Sequence, residues 1–95
     1  MNKRILYGGI DVDDKNFHLG LVDPDSGEVL TYTTRPNSDS LIKKLQVFKD
    51  QGYEIKVCYE AGYLGYSLCR QLLQKGYGCA VIASSLIPQM KGHPT

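Results

Sequence analysis

Two carboxylates, each at the end of an apolar run, are the residues of this sequence best suited to carry chemistry. Asp11 lies near the end of residues 6–12, and Glu60 directly follows residues 55–59. Close carboxylates repel each other, and proteins relieve that repulsion with a shared proton or a divalent cation. Mg²⁺ favours carboxylates together with waters and substrate phosphates, and a two-metal site promotes phosphodiester chemistry, with Asp11 as the expected ligand shared by both ions. Such a site requires a fold that brings the two acids together.

The first third of the chain predicts three strands. Residues 6–12 and 17–22 alternate in side-chain character, as the two-residue period of a strand requires, and residues 28–35 are rich in β-branched and aromatic side chains. Short turn-forming segments separate these runs, so an antiparallel meander is expected. Within the first strand, Gly8 and Gly9 indicate either a close approach of another backbone or a bulge.

Two amphipathic helices are predicted after the meander. The first ends at Gly52, has an apolar stripe and carries lysines on its other face: Leu41, Ile42, Leu45, Phe48; Lys43, Lys44, Lys49. A solvated face explains these lysines with fewer assumptions than a nucleic-acid patch does. The second helix ends at Gly76, and its predicted stripe consists of Leu64, Leu68, Cys69, Leu72 and Leu73.

The remaining strands decide whether the two acids meet. Residues 53–59 predict a fourth strand, and residues 79–83 predict a fifth that is buried on both faces. A helical crossover between strands three and four implies a mixed sheet, and placing strand four beside strand one gives the order 3-2-1-4-5. Asp11 and Glu60 then lie at the carboxyl ends of adjacent parallel strands, where open α/β sheets usually bind ligands. The expected class is α/β, with one domain over residues 1–88.

Composition limits the other possibilities. The chain has 95 residues, with 11 Lys and Arg against 10 Asp and Glu, so no overall charge attracts nucleic acid. Residues 89–95 are expected to form a flexible tail. The start of the sequence lacks a signal-peptide pattern and no run has membrane-spanning length, so a cytoplasmic protein without a membrane partner is expected. Cys58, Cys69 and Cys79 show no metal-ligand spacing and are interpreted as small apolar side chains of a reduced core.

Other chemical sites find little support in the sequence. Neither common glycine-rich phosphate loop is present, and the segment that starts at Asp11 lacks the turn glycine and the closing glutamate of a calcium loop. His18 falls in a strand and His93 in the expected tail, each without a credible Cys, Ser or carboxylate partner. Both histidines are therefore interpreted as structural or solvent-facing.

Several motifs together resemble a known family. They are Gly9-Ile10-Asp11-Val12 before a polar turn, Cys58-Tyr59-Glu60-Ala61-Gly62, Gly65-Tyr66, Arg70-Gln71-Leu72, Gly76, and Ala83-x-Ser85-Leu86-Ile87-Pro88. This pattern resembles the amino-terminal domain of insertion-sequence 110 family transposases, which is RuvC-like, with a ribonuclease H fold and four acids in the order Asp, Glu, Asp, Asp. The resemblance implies that Asp11 and Glu60 are the first two acids and bind Mg²⁺ or Mn²⁺ for DNA strand cleavage and exchange, with the ion expected only when the complete set of four acids is present. It also implies DNA and a guide RNA as partners of the full-length protein.

The sequence departs from that family in informative places. Tyr63, Leu64 and Ser84 stand where relatives often have Pro, Thr and Pro, which concerns loop shape and not the acids. The third and fourth acids of the family lie beyond the position of Pro88, and Thr95 is reached without either. The expectation is therefore an incomplete domain, a fragment that is inactive alone and that self-associates through exposed apolar sheet surface.

Two alternatives belong to other classes of protein. Residues 8–11 followed by hairpins also resemble the first phosphate motif of the sugar-kinase and actin superfamily, although the phosphate-cradling turn after Asp11 is missing. The second alternative is a non-catalytic interaction module. Tight ATP binding would favour the first alternative, and absence of Mg²⁺ or Mn²⁺ binding at Asp11 and Glu60 would favour the second.

Overall fold

The computed structural model describes residues 4–82, which contain five strands and two α-helices. In chain order these are β1 (Arg4–Val12), β2 (Phe17–Val22), β3 (Val29–Thr34), α1 (Ser38–Asp50), β4 (Tyr53–Glu60), α2 (Ser67–Gln74) and β5 (Gly78–Ile82). A single 3₁₀ turn, Gly62–Leu64, lies between β4 and α2. Each predicted element is present within a few residues of its expected bounds. The predicted tail at 89–95, and the predicted domain end at residue 88, lie outside the described residues.

The strands form one mixed sheet in the order β3-β2-β1-β4-β5. β1 is antiparallel to β2 and parallel to β4, and β4 is parallel to β5. The predicted order 3-2-1-4-5 is therefore confirmed. Hairpins can join the antiparallel strands directly, whereas the parallel neighbours need the helical crossovers α1 and α2. This arrangement is consistent with a ribonuclease H-like fold.

Both helices pack on one face of the sheet, called here the covered face. Its core joins alternate strand residues with the apolar stripes of the helices: Leu6, Ile10, Phe17, Leu19, Leu21, Ile55, Val57 and Tyr59 with Leu41, Leu45, Phe48, Leu68 and Leu72. The other face, called the open face, carries the intervening strand residues, including Gly9, Asp11, His18, Thr33 and Glu60. Because a strand alternates its side chains between faces, the burial that stabilises the fold leaves the two acids exposed.

Helix α1 begins with a capping interaction and uses its lysines within the fold. The Asn37 side chain accepts a 2.8 Å hydrogen bond from the Ser40 amide at the start of the helix. Lys44 Nζ lies 4.6 Å from the centre of the Tyr32 ring, and Lys49 Nζ lies 4.8 Å from that of Tyr77. Such contacts attract a cation to an aromatic face. These two lysines therefore help to cover aromatic side chains.

Gly8 marks a close approach between strands and not a bulge. Pairing of β1 with β2 runs without interruption through Gly8↔Leu21 and Gly9↔Gly20. A Cβ on Gly8 would lie 2.7 Å from Leu21 Cδ2 and 2.8 Å from the Gly20 carbonyl oxygen. Real side chains do not tolerate such distances, so the covered face requires glycine at this position.

Two predictions about burial were wrong. β5 is the edge strand of the described sheet and pairs with β4 alone, so Ile82 on the open face is exposed and not buried. A short apolar run does not reveal whether its strand is central or at an edge. Leu73 is exposed because the adjacent Leu72 takes the position that faces the sheet.

The cysteines are all free, as predicted, although Cys69 is buried whereas Cys58 and Cys79 are partly buried.

Candidate active site

Asp11 and Glu60 lie side by side on the open face. Ile10 of β1 pairs with Tyr59 of β4, so the next residue along each parallel strand is one of the two acids. Neighbouring strands are about 4.8 Å apart, and residues in the same register of a parallel pair point to the same face. Both side chains are exposed. The juxtaposition expected from strand order is thus present at the carboxyl ends of β1 and β4.

The chain turns sharply after Glu60, and this turn is fixed at several points. The Ala61 amide donates a 2.9 Å hydrogen bond to the Ile82 carbonyl, which joins the turn to β5. Gly62 and Gly65 have φ angles of +49° and +56°, a region that L side chains rarely adopt. The glycines of the sequence motif therefore have a local conformational role: they let the backbone leave β4 immediately beyond Glu60.

Tyr59 connects the covered face to the same turn. Its side chain is buried beneath β4, and its hydroxyl donates a 2.8 Å hydrogen bond to the Gly65 carbonyl. The same oxygen accepts a 3.0 Å hydrogen bond from the Cys69 amide at the start of α2. Burial raises the pKa of the Tyr59 phenol, so it remains a neutral donor. The residue before Glu60 thereby ties β4, the turn and α2 together.

A row of side chains crosses the open face at the level of the two acids. Asp11 pairs with His18 of β2, His18 pairs with Thr33 of β3, and Glu60 pairs with Ile82 of β5. His18 Nδ1 lies 3.2 Å from Thr33 Oγ1. His18 therefore lies opposite Asp11 in the ladder, although the hydrogen bond found for its side chain is to Thr33. Sequence spacing does not reveal which residues of a hairpin face each other, so this relationship was missed.

A concavity of about 870 Å³ adjoins this row on the open face. Asp11, His18 and Glu60 line it, together with the paired glycines Gly9 and Gly20. A Cβ at either glycine would meet no other atom within 4 Å. The absence of side chains at this pair therefore leaves space above the sheet, through which an extended ligand can reach the two acids.

An acidic turn follows Asp11 directly. Two hydrogen bonds hold the pKa of Asp13 below its usual value. One is with the side chain of Asp14, and the other is donated by the Lys15 amide to Asp13 Oδ1 at 3.1 Å. The hydrogen bond between the two side chains, together with the negative charge of Asp13, raises the pKa of Asp14. Two carboxyls in contact share a proton more readily than isolated ones. This turn adds negative potential near Asp11, which a bound cation would relieve.

The donor set has the right chemistry for a hard divalent cation but is small. Among residues 4–82, no group of three or more His, Cys, Asp and Glu side chains is arranged to hold a metal ion. Asp11 and Glu60 supply two carboxylates, which suits Mg²⁺ because that ion keeps several waters and also takes substrate phosphates. The residues present therefore fit part of such a site.

Among residues 4–82, no helix is long and apolar enough to cross a membrane.

The fold is consistent with a ribonuclease H-like domain, and it places two acids at the carboxyl ends of adjacent parallel strands. Comparison with known proteins gives a more specific result. The chain is 34% identical over 88 residues to the transposase for insertion sequence element IS1533 of Leptospira borgpetersenii, an alignment that covers 92% of the chain and 25% of that relative. It is 32% identical over 91 residues to y4qE of Sinorhizobium fredii, which also bears a transposase name, with 94% and 23% covered.

The similarity to transposases extends over nearly the whole chain. The chain spans about a quarter of the length of the curated relatives it matches. No protein-family model matches it. Both relatives carry transposase names and neither carries a kinase or actin name, so the sugar-kinase alternative is not favoured.

Proposed function

We propose that this chain is part of a DNA transposase and that Asp11 and Glu60 bind the divalent metal used in DNA strand cleavage and exchange. The observation that carries the proposal is the side-by-side placement of the two acids at the carboxyl ends of adjacent parallel strands. Similarity to two transposases, over 92% and 94% of the chain, supports it independently of that geometry. Ligand sites at this end of an open α/β sheet are common, which supports it further.

The two acids have different positions, which suggests different roles. Asp11 lies on the central strand, with His18 on one side and Glu60 on the other, so it is the better placed to be shared between two ions. Glu60 lies where β4 ends and serves as the second ligand. Mg²⁺ or Mn²⁺, when bound, would activate the attacking oxygen and stabilise the leaving one. The residues of the chain hold the cation and position the phosphate beside it.

The resemblance to insertion-sequence 110 transposases extends the proposal beyond these two residues. We assign the domain to the RuvC-like group with four acids, of which Asp11 and Glu60 are the first two. On this assignment the chain of 95 residues does not cleave DNA alone, because two carboxylates leave the metals incompletely held. DNA and a guide RNA are the proposed partners of the full-length protein, which acts in the cytoplasm.

Metal binding can be measured directly with Mn²⁺. The paramagnetic resonance signal of free Mn²⁺ weakens as the ion binds, so titration of the purified chain gives an affinity. We expect Asp11→Asn and Glu60→Gln each to weaken binding by about tenfold or more, since each removes one of two charged ligands. Asp25→Asn, which changes an exposed carboxylate in the β2–β3 turn, is the matched control and should bind as the unchanged chain does. Equal affinity in all four proteins would refute the assignment.

The location of the ion can be tested separately from its affinity. Bound Mn²⁺ broadens the amide resonances of nearby residues, so those of Gly9 and Ala61 should broaden before that of Val47, which lies on α1. Asp14→Asn tests the acidic turn as a competing site. If this variant, and not Asp11→Asn, removes the broadening, the ion is held by the turn and the proposal is wrong.

Nuclease activity gives a further test. The unchanged chain should leave a DNA duplex intact in the presence of Mg²⁺, and cleavage that survives Asp11→Asn would contradict the role of Asp11. A chain that binds neither Mg²⁺ nor Mn²⁺ would instead support a non-catalytic interaction module.

A further inference from the structure

We propose that His18 is a DNA-binding residue of this site, which donates a hydrogen bond from Nε2 to a phosphate oxygen of the strand held next to Asp11. The inference rests on the proposed function, because it takes DNA as the ligand of the open face. It adds a residue from β2, on the side of Asp11 opposite to Glu60. In this row, Asp11 and Glu60 would bind the metal and His18 would contact a phosphate.

His18 lies beside the two acids on the open face. His18 is directly opposite Asp11 in the β1–β2 ladder and is exposed on the open face. Residues opposite each other in an antiparallel pair have Cβ atoms about 5 Å apart. The His18 ring is therefore close enough to Asp11 to contact a phosphate beside one that Asp11 and Glu60 hold.

A contact with Thr33 orients the His18 ring. Thr33 Oγ1 lies 3.2 Å from Nδ1, and a threonine hydroxyl can donate to that nitrogen. In this arrangement the ring proton is on Nε2, which makes Nε2 a donor. The hydrogen bond found for His18 among the described residues is the one at Nδ1, and the Asp13 carboxylate lies near enough to interact electrostatically with the ring. Thr33 thus holds the ring in place while the second nitrogen remains available to a ligand.

The surroundings of the two acids are negatively charged. Asp11, Glu60 and the Asp13–Asp14 turn repel a phosphate chain, so DNA needs compensating donors beside the metal. Lys56 is on the same face but two rows away, where its Nζ lies 3.7 Å from Glu54 Oε2. His18 is in the row of the acids themselves. Its Nε2 donor contacts the phosphate next to the one that the metal binds.

Space above the sheet makes this contact sterically possible. Gly20 lies two residues after His18 along the same face of β2, and Gly9 is its partner on β1. With no Cβ at either position, the DNA strand can approach the sheet backbone beside the imidazole.

The experiment measures binding of a fluorescent single-stranded oligodeoxythymidylate to the chain in the presence of Mg²⁺. His18→Ala should weaken affinity about tenfold or more, the usual effect of one lost hydrogen bond to a charged group, and His18→Gln should recover most of it because the amide retains a donor. Thr31→Ala, on the same face of β3, is the control and should bind normally. Thr33→Val should weaken binding less than His18→Ala, because it only releases the ring.

The chemistry of the ligand can be checked with the same variants. On an oligonucleotide with uncharged methylphosphonate linkages, His18→Ala should weaken binding clearly less than it does on normal DNA, since each linkage has lost its negative charge and one of its two non-bridging oxygens. Equal affinity of His18→Ala and the unchanged chain for normal DNA, or an effect of His18→Ala that is as large on the methylphosphonate strand as on normal DNA, would overturn the inference.

Failure of this inference is distinguishable from failure of the proposed function. If Asp11→Asn removes Mn²⁺ binding but His18→Ala leaves DNA affinity unchanged, the role of His18 is wrong and the metal assignment stands. If the unchanged chain binds no Mn²⁺ while DNA binding still depends on His18, the metal assignment is wrong and the phosphate contact stands. In each variant, the backbone amide spectrum should show that the fold is retained.

Discussion

The hydroxyl of Tyr59 donates a hydrogen bond of 2.8 Å to the carbonyl oxygen of Gly65, across the turn that begins beside Glu60. The same oxygen receives the Cys69 amide at 3.0 Å. One phenol therefore satisfies two backbone groups, and it does so from the covered face, opposite to the acid that it follows. The buried hydroxyl is therefore one of the points that fix the conformation of the turn.

Replacing Tyr59 with phenylalanine should destabilise the protein without changing its shape. The change removes both hydrogen bonds and leaves the Cys69 amide without this acceptor, so the free energy of unfolding should fall by about 1–3 kcal/mol. Urea denaturation measures this quantity. Tyr53→Phe is the control, because no hydrogen bond of the Tyr53 hydroxyl is found among residues 4–82. Equal stabilities of the two variants would show that the Tyr59 hydrogen bonds contribute nothing.

The adjacent glycines of β1 should respond differently to substitution by alanine. Gly8→Ala places a Cβ against Leu21 and the Gly20 carbonyl, and overpacking of this kind costs about 1–3 kcal/mol. Gly9→Ala meets no atom within 4 Å and should leave the unfolding free energy within about 1 kcal/mol of the original. Thermal or urea unfolding of the pair checks this directly. A larger loss at Gly9 would contradict the assignment of the two faces.

Asp23 should contribute a pH-dependent part of the stability. Burial alone raises the pKa of this carboxyl, but the Asp25 amide at 2.9 Å and the Arg4 guanidinium at 2.5 Å outweigh it, so the pKa lies below its usual value. A lowered pKa in the folded state stabilises the protein above the unfolded-state value of about 3.9. That contribution is lost as pH falls through the folded-state pKa.

The measurement is the melting temperature between about pH 7 and pH 3. Asp23→Asn should be less stable than the original chain near neutral pH, and the difference should shrink below about pH 4. Asp25→Asn keeps the amide that bonds to Asp23 and should follow the original chain throughout. A difference that is independent of pH would show that the charge of Asp23 is not responsible.

Self-association should occur through an apolar row at the other end of the open face. Tyr7, Val22 and Val29 are register neighbours on β1, β2 and β3, and they are 47%, 39% and 61% exposed. Neighbouring apolar side chains on one exposed face favour burial against a second copy of the chain. Val29→Lys should shift the sedimentation profile toward monomer, whereas Val47→Lys on α1 should not. A monodisperse monomer of the original chain would refute this expectation.

Strand order could be predicted from the sequence, whereas contacts between particular residues could not. Alternation along residues 6–12 and 53–59 places Asp11 and Glu60 on defined faces, and crossover rules then put their strands together. The pairing of Asp11 with His18 depends on hairpin register, which the turn composition at residues 13–16 does not determine. The different surroundings of Gly8 and Gly9 follow from the same register. Sequence pattern alone therefore did not place His18 in the row of the two acids.

The central place of β1 has a consequence for motion at the site. Backbone amides of β1 are paired on both sides, with β2 and β4, so their hydrogen exchange should be among the slowest in the chain. Asp11 lies on that slowly exchanging strand, whereas Glu60 lies at the end of β4, where hydrogen bonds hold the backbone of the following turn. The exchange rates of the β1 amides therefore report whether the backbone beside Asp11 is already rigid in the absence of a ligand.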